Sequence, residues 1–149
     1  MTQSFRAIKR SPEDILFSQI VRFGLDRCPG CGCRRDLQAA HIFGRGAKST
    51  RWLLTPKPNA VPACATCHAF IDARKDETPI FNEQARAFTD SRNNAFAFIV
   101  HRYGYTWDDL AKLYIKSKTP FVGYKREIPR IRAELKAHLE KLKKGGVAA

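Results

Sequence analysis

The sequence predicts an α+β fold: a small cysteine-stapled finger, preceded by one helix and followed by a helical region. Three observations predict it. Two Cys-x-x-Cys pairs, Cys28/Cys31 and Cys64/Cys67, bracket two short apolar runs separated by a long polar loop. Helix signals open at Ser11 and dominate again beyond Asp76, where no further cysteine occurs. At 149 residues the chain is domain-sized with a thin core, so a metal staple would be useful. The expected divisions are a basic arm and packing helix over 1–25, a stapled core over 26–77, and a helical basic region over 78–149.

Residues 1–10 carry Arg6, Lys9 and Arg10 with no apolar period, which suits an arm touching phosphate or a terminus of no special role. Ser11 is an N-cap, Pro12 occupies the first helical position, and Glu13 and Asp14 meet the positive end of the helix dipole. Ile15, Leu16, Ile20 and Phe23 are expected to form its apolar face, and Gly24 its end. Cys28-Pro29-Gly30-Cys31-Gly32 reads as a tight knuckle. The run 37–42 reads as a strand delivering His41, 43–58 as a loop, and the stretch from Asn59 as a second strand. Residues 63–74 read as a turn entering a helix. One or two helices are expected from Asn82 to Gly104, then a capping-box start at Thr106 and Asp109 with Trp107, Leu110, Leu113 and Tyr114 on the apolar face. The last helix carries Ile131, Leu135, Leu139 and Leu142 on a basic background, a stripe able to pack in cis or to form a homodimer.

The formal net charge of +13 points to a polyanionic partner, nucleic acid before membrane. No apolar run approaches the ~20 residues needed to span a bilayer. The N-terminus lacks the apolar core of a secretion signal, so a cytoplasmic location is expected. In such a reducing compartment the paired spacing favours metal over disulfides, and five thiols cannot all pair.

Cys28, Cys31, Cys64 and Cys67 supply four soft thiolates for a structural zinc ion, the two pairs standing about thirty residues apart. Cys33 either replaces Cys31 or is a spare thiol, the second being preferred because Cys31-x-Cys33 is an awkward spacing. Inside this frame stand His41, Asn59 and His68, and Asp72 follows His68 by one helical turn, so both can reach one ion. Phosphodiester cleavage needs an activated water, a Lewis acid and stabilisation of the leaving oxygen. An imidazole suits the first task, and an imidazole with a carboxylate suits a divalent ion with open positions. Arg45 is the expected phosphate clamp, Arg51 the second choice, with Lys48 and Lys57 making unspecific phosphate contacts. Trp52 can stack on a base, though packing under the loop is the commoner fate.

His41, Asn59 and His68, with Cys-x-x-Cys-His at 64–68, resemble the HNH (ββα-metal) nucleases whose finger is stapled by two zinc knuckles. The resemblance covers roughly residues 26–76, and implies a zinc-stapled ββα-metal finger that cuts DNA. It implies that His41 is the general base, that Asn59 orients it or supports the metal loop, and that His68 is a metal ligand. Asp72 stands where some members place another ligand. Many members carry Asp, Glu or His directly before the first histidine; here that residue is Ala40. The catalytic ion (Mg²⁺, Mn²⁺, Ni²⁺ or Zn²⁺) would then lean on His68 and Asp72, with Asn59, water or His41 itself. The stretch AHIFGRGAKSTRW, with Asn59 and Cys64-x-x-Cys67, is also similar to phage recombination nucleases of the lambda NinG type. That likeness implies branched or single-stranded DNA as substrate, beside the duplex DNA expected of a nuclease, and a bacterial or phage-infected host cell. Two other readings compete. Ala40 suits a non-catalytic zinc-finger module that binds DNA or a phage replication partner; charge and zinc alone would suit an RNA-binding protein.

Overall fold

A computed structural model describes residues 10–43, 51–55, 57–74, 81–82, 87–88, 95–118 and 124–145. Arg45, Lys48 and the arm up to residue 9 lie outside these, so the structure does not bear on what was expected of them. The described residues form a small α+β arrangement of five helices and two two-stranded antiparallel sheets.

Helix α1 spans Pro12–Val21 and begins as its sequence dictates: Ser11 is extended, and its Oγ accepts from the Asp14 N–H at 3.2 Å. Its buried face differs from the one expected. Glu13, Phe17, Ile20 and Val21 face inward, while Ile15 and Phe23 are 45% and 42% exposed. Phe17, fully buried, sets this face, and Glu13 can share it because Arg132 Nε donates to its carboxylate at 2.5 Å.

Strands β1 (Gln38–His41) and β2 (Ala60–Ala63) pair antiparallel, with Ala40 opposite Val61 and His41 opposite Ala60. Alternation along a strand sends successive side chains to opposite faces, and both faces are used. Ala40, Val61 and Ala63 join a core with helix α2 (Ala65–Arg74), helix α3 (Ala95–Tyr103) and helix α4 (Trp107–Lys118). Ala39 and Ala60 face a second core, built by α1 and helix α5 (Tyr124–Lys143). The hairpin is thus a partition between two apolar clusters.

One or two helices are expected from Asn82 onward, but Asn82 and residues 87–88 lie in strands β3 (Phe81–Asn82) and β4 (Ala87–Phe88). Their mutual pairing, with β4 packed on α4, outweighs the helix propensity of the segment. Helix α3 ends at Gly104, whose φ of +71° favours glycine. The reciprocal box is present: the Asp109 N–H donates to Thr106 Oγ1 at 3.0 Å, and the Thr106 N–H to Asp109 Oδ2 at 2.9 Å. Helix α5 lays Leu135 and Leu139 against α1, so its apolar stripe packs in cis. No helix among the described residues is long and apolar enough to cross a membrane.

These burials set an ordering of stability. Leu135→Ala opens a cavity in the α1–α5 seam and should lower unfolding free energy by about 2–5 kcal/mol in urea titrations. Ile15→Ala, on the exposed side of α1, should stay within about 0.5 kcal/mol of the parent.

Candidate metal centre and adjoining pocket

The knuckle and the start of α2 bring four sulfurs together. The Sγ atoms of Cys28, Cys31, Cys64 and Cys67 all lie within 4.8 Å of one another, with Cys31 and Cys64 at 3.5 Å. A tetrahedral ion with four bonds of about 2.3 Å places its sulfurs about 3.8 Å apart, so the cluster is compatible with a structural zinc. The knuckle is closed by the Gly32 N–H donating to the Cys28 carbonyl at 2.7 Å and the Cys28 N–H to the Cys33 carbonyl at 2.8 Å. Cys33 stands outside the cluster, its sulfur accepting from the Arg35 N–H at 3.4 Å; it is the spare thiol.

Electrostatics favour a cation at this point. Burial alone would raise the Cys28 thiol, but hydrogen bonds from the backbones of Cys64, Cys31 and Gly30 outweigh it and bring the pKa down to about 6. The backbone of Cys67 likewise lowers the Cys64 thiol, its N–H donating to that sulfur at 3.5 Å. Cys67 is pushed up, by burial first and then by the neighbouring thiols. A bound zinc ion would take the place of the protons that the raised thiols keep. Helix α3 covers the knuckle closely: a Cβ on Gly30 would meet Phe98 Cζ at 2.8 Å, Cys67 Sγ at 3.0 Å and Tyr103 Oη at 3.0 Å.

On α2, Cys67 and Ile71 turn toward the core, and His68 and Asp72, one residue further round, turn outward. The His68 Nδ1–H donates to Gln38 Oε1 at 2.7 Å. Nε2 then lies 3.2 Å from Asp72 Oδ2. In the neutral ring Nε2 carries a lone pair. Gln38 orients the ring from behind, and Nε2 and the Asp72 carboxylate stand side by side on the outward face of α2.

His41 ends β1 with its ring stacked on Phe17, centroids 5.3 Å apart and planes at 22°. Its Nε2 is 3.0 Å from the Arg51 carbonyl oxygen. A carbonyl only accepts, so Nε2 bears the hydrogen and the lone pair of the neutral ring is on Nδ1. A pocket of about 230 Å³ is lined by His41, His68 and Gln38, by Asp14 and Ser18 of α1, and by Arg10 and Arg51. At ~30 Å³ per water it accommodates a phosphate with a few waters.

Asn59 is fully buried and does not line the pocket. Its Nδ2 donates to the Phe43 carbonyl at 2.7 Å and its Oδ1 accepts from the Phe43 N–H at 3.0 Å, closing the base of the loop after His41. Tyr105 Oη donates to the Pro58 carbonyl at 2.6 Å and braces the same point. Lys57, expected to touch phosphate, stands partly exposed, with its ammonium donating to the Gly104 carbonyl at 2.5 Å and pairing with Asp109 at 3.3 Å. Arg51 reaches the pocket, with its Nε bonded to Asp14 at 2.9 Å. Trp52 packs on the α1–α5 cluster. Ala40 is fully buried, so the position before His41 is a core position in this chain and could not take a carboxylate without burying its charge.

Asp14, Phe17 and Gln38 were not anticipated as parts of the site. Period-two alternation from His41 could have flagged β1 as two-faced, but nothing local marks Gln38 as the partner of a histidine 30 residues away. The chain matches no protein-family model, no curated protein and no solved structure.

Metal analysis should find one zinc held by the four cysteines, retained by Cys33→Ser and lost by Cys64→Ser. Full chelation should reduce the helical circular dichroism signal, since structural zinc contributes on the order of 10–16 kcal/mol in small peptide systems. An unchanged spectrum after verified removal would refute the staple. Gly30→Ala should cost about 1–3 kcal/mol through overpacking against α3.

Proposed function

We propose that this protein is a metal-dependent HNH endonuclease that hydrolyses DNA phosphodiester bonds. The observation that carries the reading is the opposite orientation of two histidines on one pocket. His41 holds its proton on Nε2, leaving Nδ1 basic, while His68 holds its proton on Nδ1, leaving Nε2 beside a carboxylate. The first arrangement suits a base, the second a metal ligand. The order β1, β2, α2, stapled by four cysteines, supports the ββα-metal assignment.

In this reading His41 Nδ1 accepts the proton of the attacking water, and its Nε2–H bond to the Arg51 carbonyl steadies the ring as positive charge develops. Asn59 keeps the loop base closed so that His41 and Arg51 stay in register. His68 and Asp72 would hold the divalent ion, which supplies Lewis-acid charge for the scissile phosphate. Arg10 and Arg51 add positive charge at the pocket, and Arg45 and Lys48 remain candidates for phosphate contacts from the loop. The net charge of +13 supports DNA as the partner. The phage recombination setting, and with it branched DNA as a substrate, rests on the loop resemblance alone.

The buried Ala40 favours a second reading, a zinc-stapled module that binds DNA without cutting it, because that position adds no ligand. One experiment separates the two. Supercoiled plasmid and branched DNA are incubated with the zinc-loaded protein and Mg²⁺, Mn²⁺ or Ni²⁺. The nuclease reading expects nicking that falls by about 10²- to 10⁴-fold in His41→Ala, with zinc content unchanged. Binding without nicking in any of the metals supports the second reading. For both, affinity should fall with salt at a slope of about −0.9 per neutralised phosphate.

A further inference from the structure

We propose that Asp14, on α1 and outside the strand–strand–helix core, is a positioning residue that holds His41 through the peptide joining Arg51 to Trp52. The effect on rate rests on the nuclease reading; the structural content does not.

Asp14 Oδ1 accepts from Arg51 Nε at 2.9 Å and from Trp52 Nε1 at 3.0 Å. These residues are consecutive, so the side chains on both sides of one peptide plane are tied to a single oxygen. The carbonyl of that plane belongs to Arg51, and it is the acceptor for the Nε2–H of His41 at 3.0 Å. Turning the plane would carry the carbonyl away from the ring, and the two ties on either side of it oppose that turn. Asp14 is fixed in its own right. Its N–H is bonded to the helix cap Ser11, its neighbour Glu13 is bonded to Arg132 of α5, and α5 packs along α1. Phe17, one turn further on, stacks on the His41 ring. One helix therefore sets both the plane of the imidazole and which nitrogen bears its hydrogen.

The acceptor is present as a carboxylate at neutral pH. Burial alone would raise the Asp14 carboxyl, but the bonds from Arg51, Trp52 and Ser11 outweigh it and hold the group below the ordinary carboxylate value.

The test uses the full zinc-loaded chain and two readouts. The first is the ¹⁵N-detected state of the His41 ring at a pH where it is neutral. In the parent the ring should be the Nε2–H form with an observable, protected proton. In Asp14→Ala that proton should exchange with solvent and the ring should move toward a mixture of tautomers. Asp14→Asn, which keeps an oxygen acceptor, should recover most of the parent signal. The second readout is cleavage: Asp14→Ala should lower kcat by about ten- to a hundred-fold with KM little changed, as loss of an orienting partner does. If Asp14→Ala fails to retain zinc, Trp52→Phe removes one of the two donors and should give the same ring shift in smaller measure. A ring signal identical to the parent's in every folded variant overturns the proposal, whatever the rates. If the parent itself cuts no DNA, the nuclease reading fails, and the ring spectra alone decide the role of Asp14.

Discussion

Four sulfurs converge within 4.8 Å of one another, and this convergence ties together distant parts of the chain. It joins a knuckle before β1 to the first turn of α2, and so determines where both ends of the hairpin unit lie. Cys64 immediately follows β2, and Cys67 immediately precedes His68. Anchoring those thiols therefore sets the rotation of α2, and with it the outward direction of His68 and Asp72. The close approach of α3 at Gly30 carries the same constraint to the helical region. A small apolar core would not by itself fix the positions of these elements so closely.

The hairpin is the second organising feature, because it is buried on both faces. One face meets α2, α3 and α4, the other α1 and α5. Its end at His41 is where the two sides open onto a common pocket. Helix α1, which carries no recognisable motif, becomes part of the site through Phe17 and Asp14. The loop base is held from the other side, by Asn59 on Phe43 and by Tyr105 on Pro58. Precision at His41 thus comes from both cores.

What could be read in advance was chemistry encoded at short range. Cysteine spacing, the turn between His68 and Asp72, the Ser11 cap and the Thr106/Asp109 box each involve residues within four positions of one another, and each is present. What could not be read depends on partners far away in the chain. Burial of Glu13 requires Arg132, 119 residues on, and without that knowledge Ile15 looked the better inward residue. Lys57 is bonded to Gly104, 47 residues on, and paired with Asp109. The strand pair at 81–82 and 87–88 lies in a segment whose local composition favours helix. Ala40 looked like a missing ligand; its full burial makes it a core residue of this particular hairpin.

The proposed function requires two kinds of metal site, a thiolate staple and an open pair at His68 and Asp72. Binding of Mn²⁺ to zinc-loaded protein, followed by electron paramagnetic resonance alongside zinc analysis, tests it most directly. One zinc and one exchangeable Mn²⁺ are expected in the parent, and in His68→Ala the same zinc with Mn²⁺ binding lost. Mn²⁺ binding that survives His68→Ala unchanged, or a parent that binds none, would contradict it.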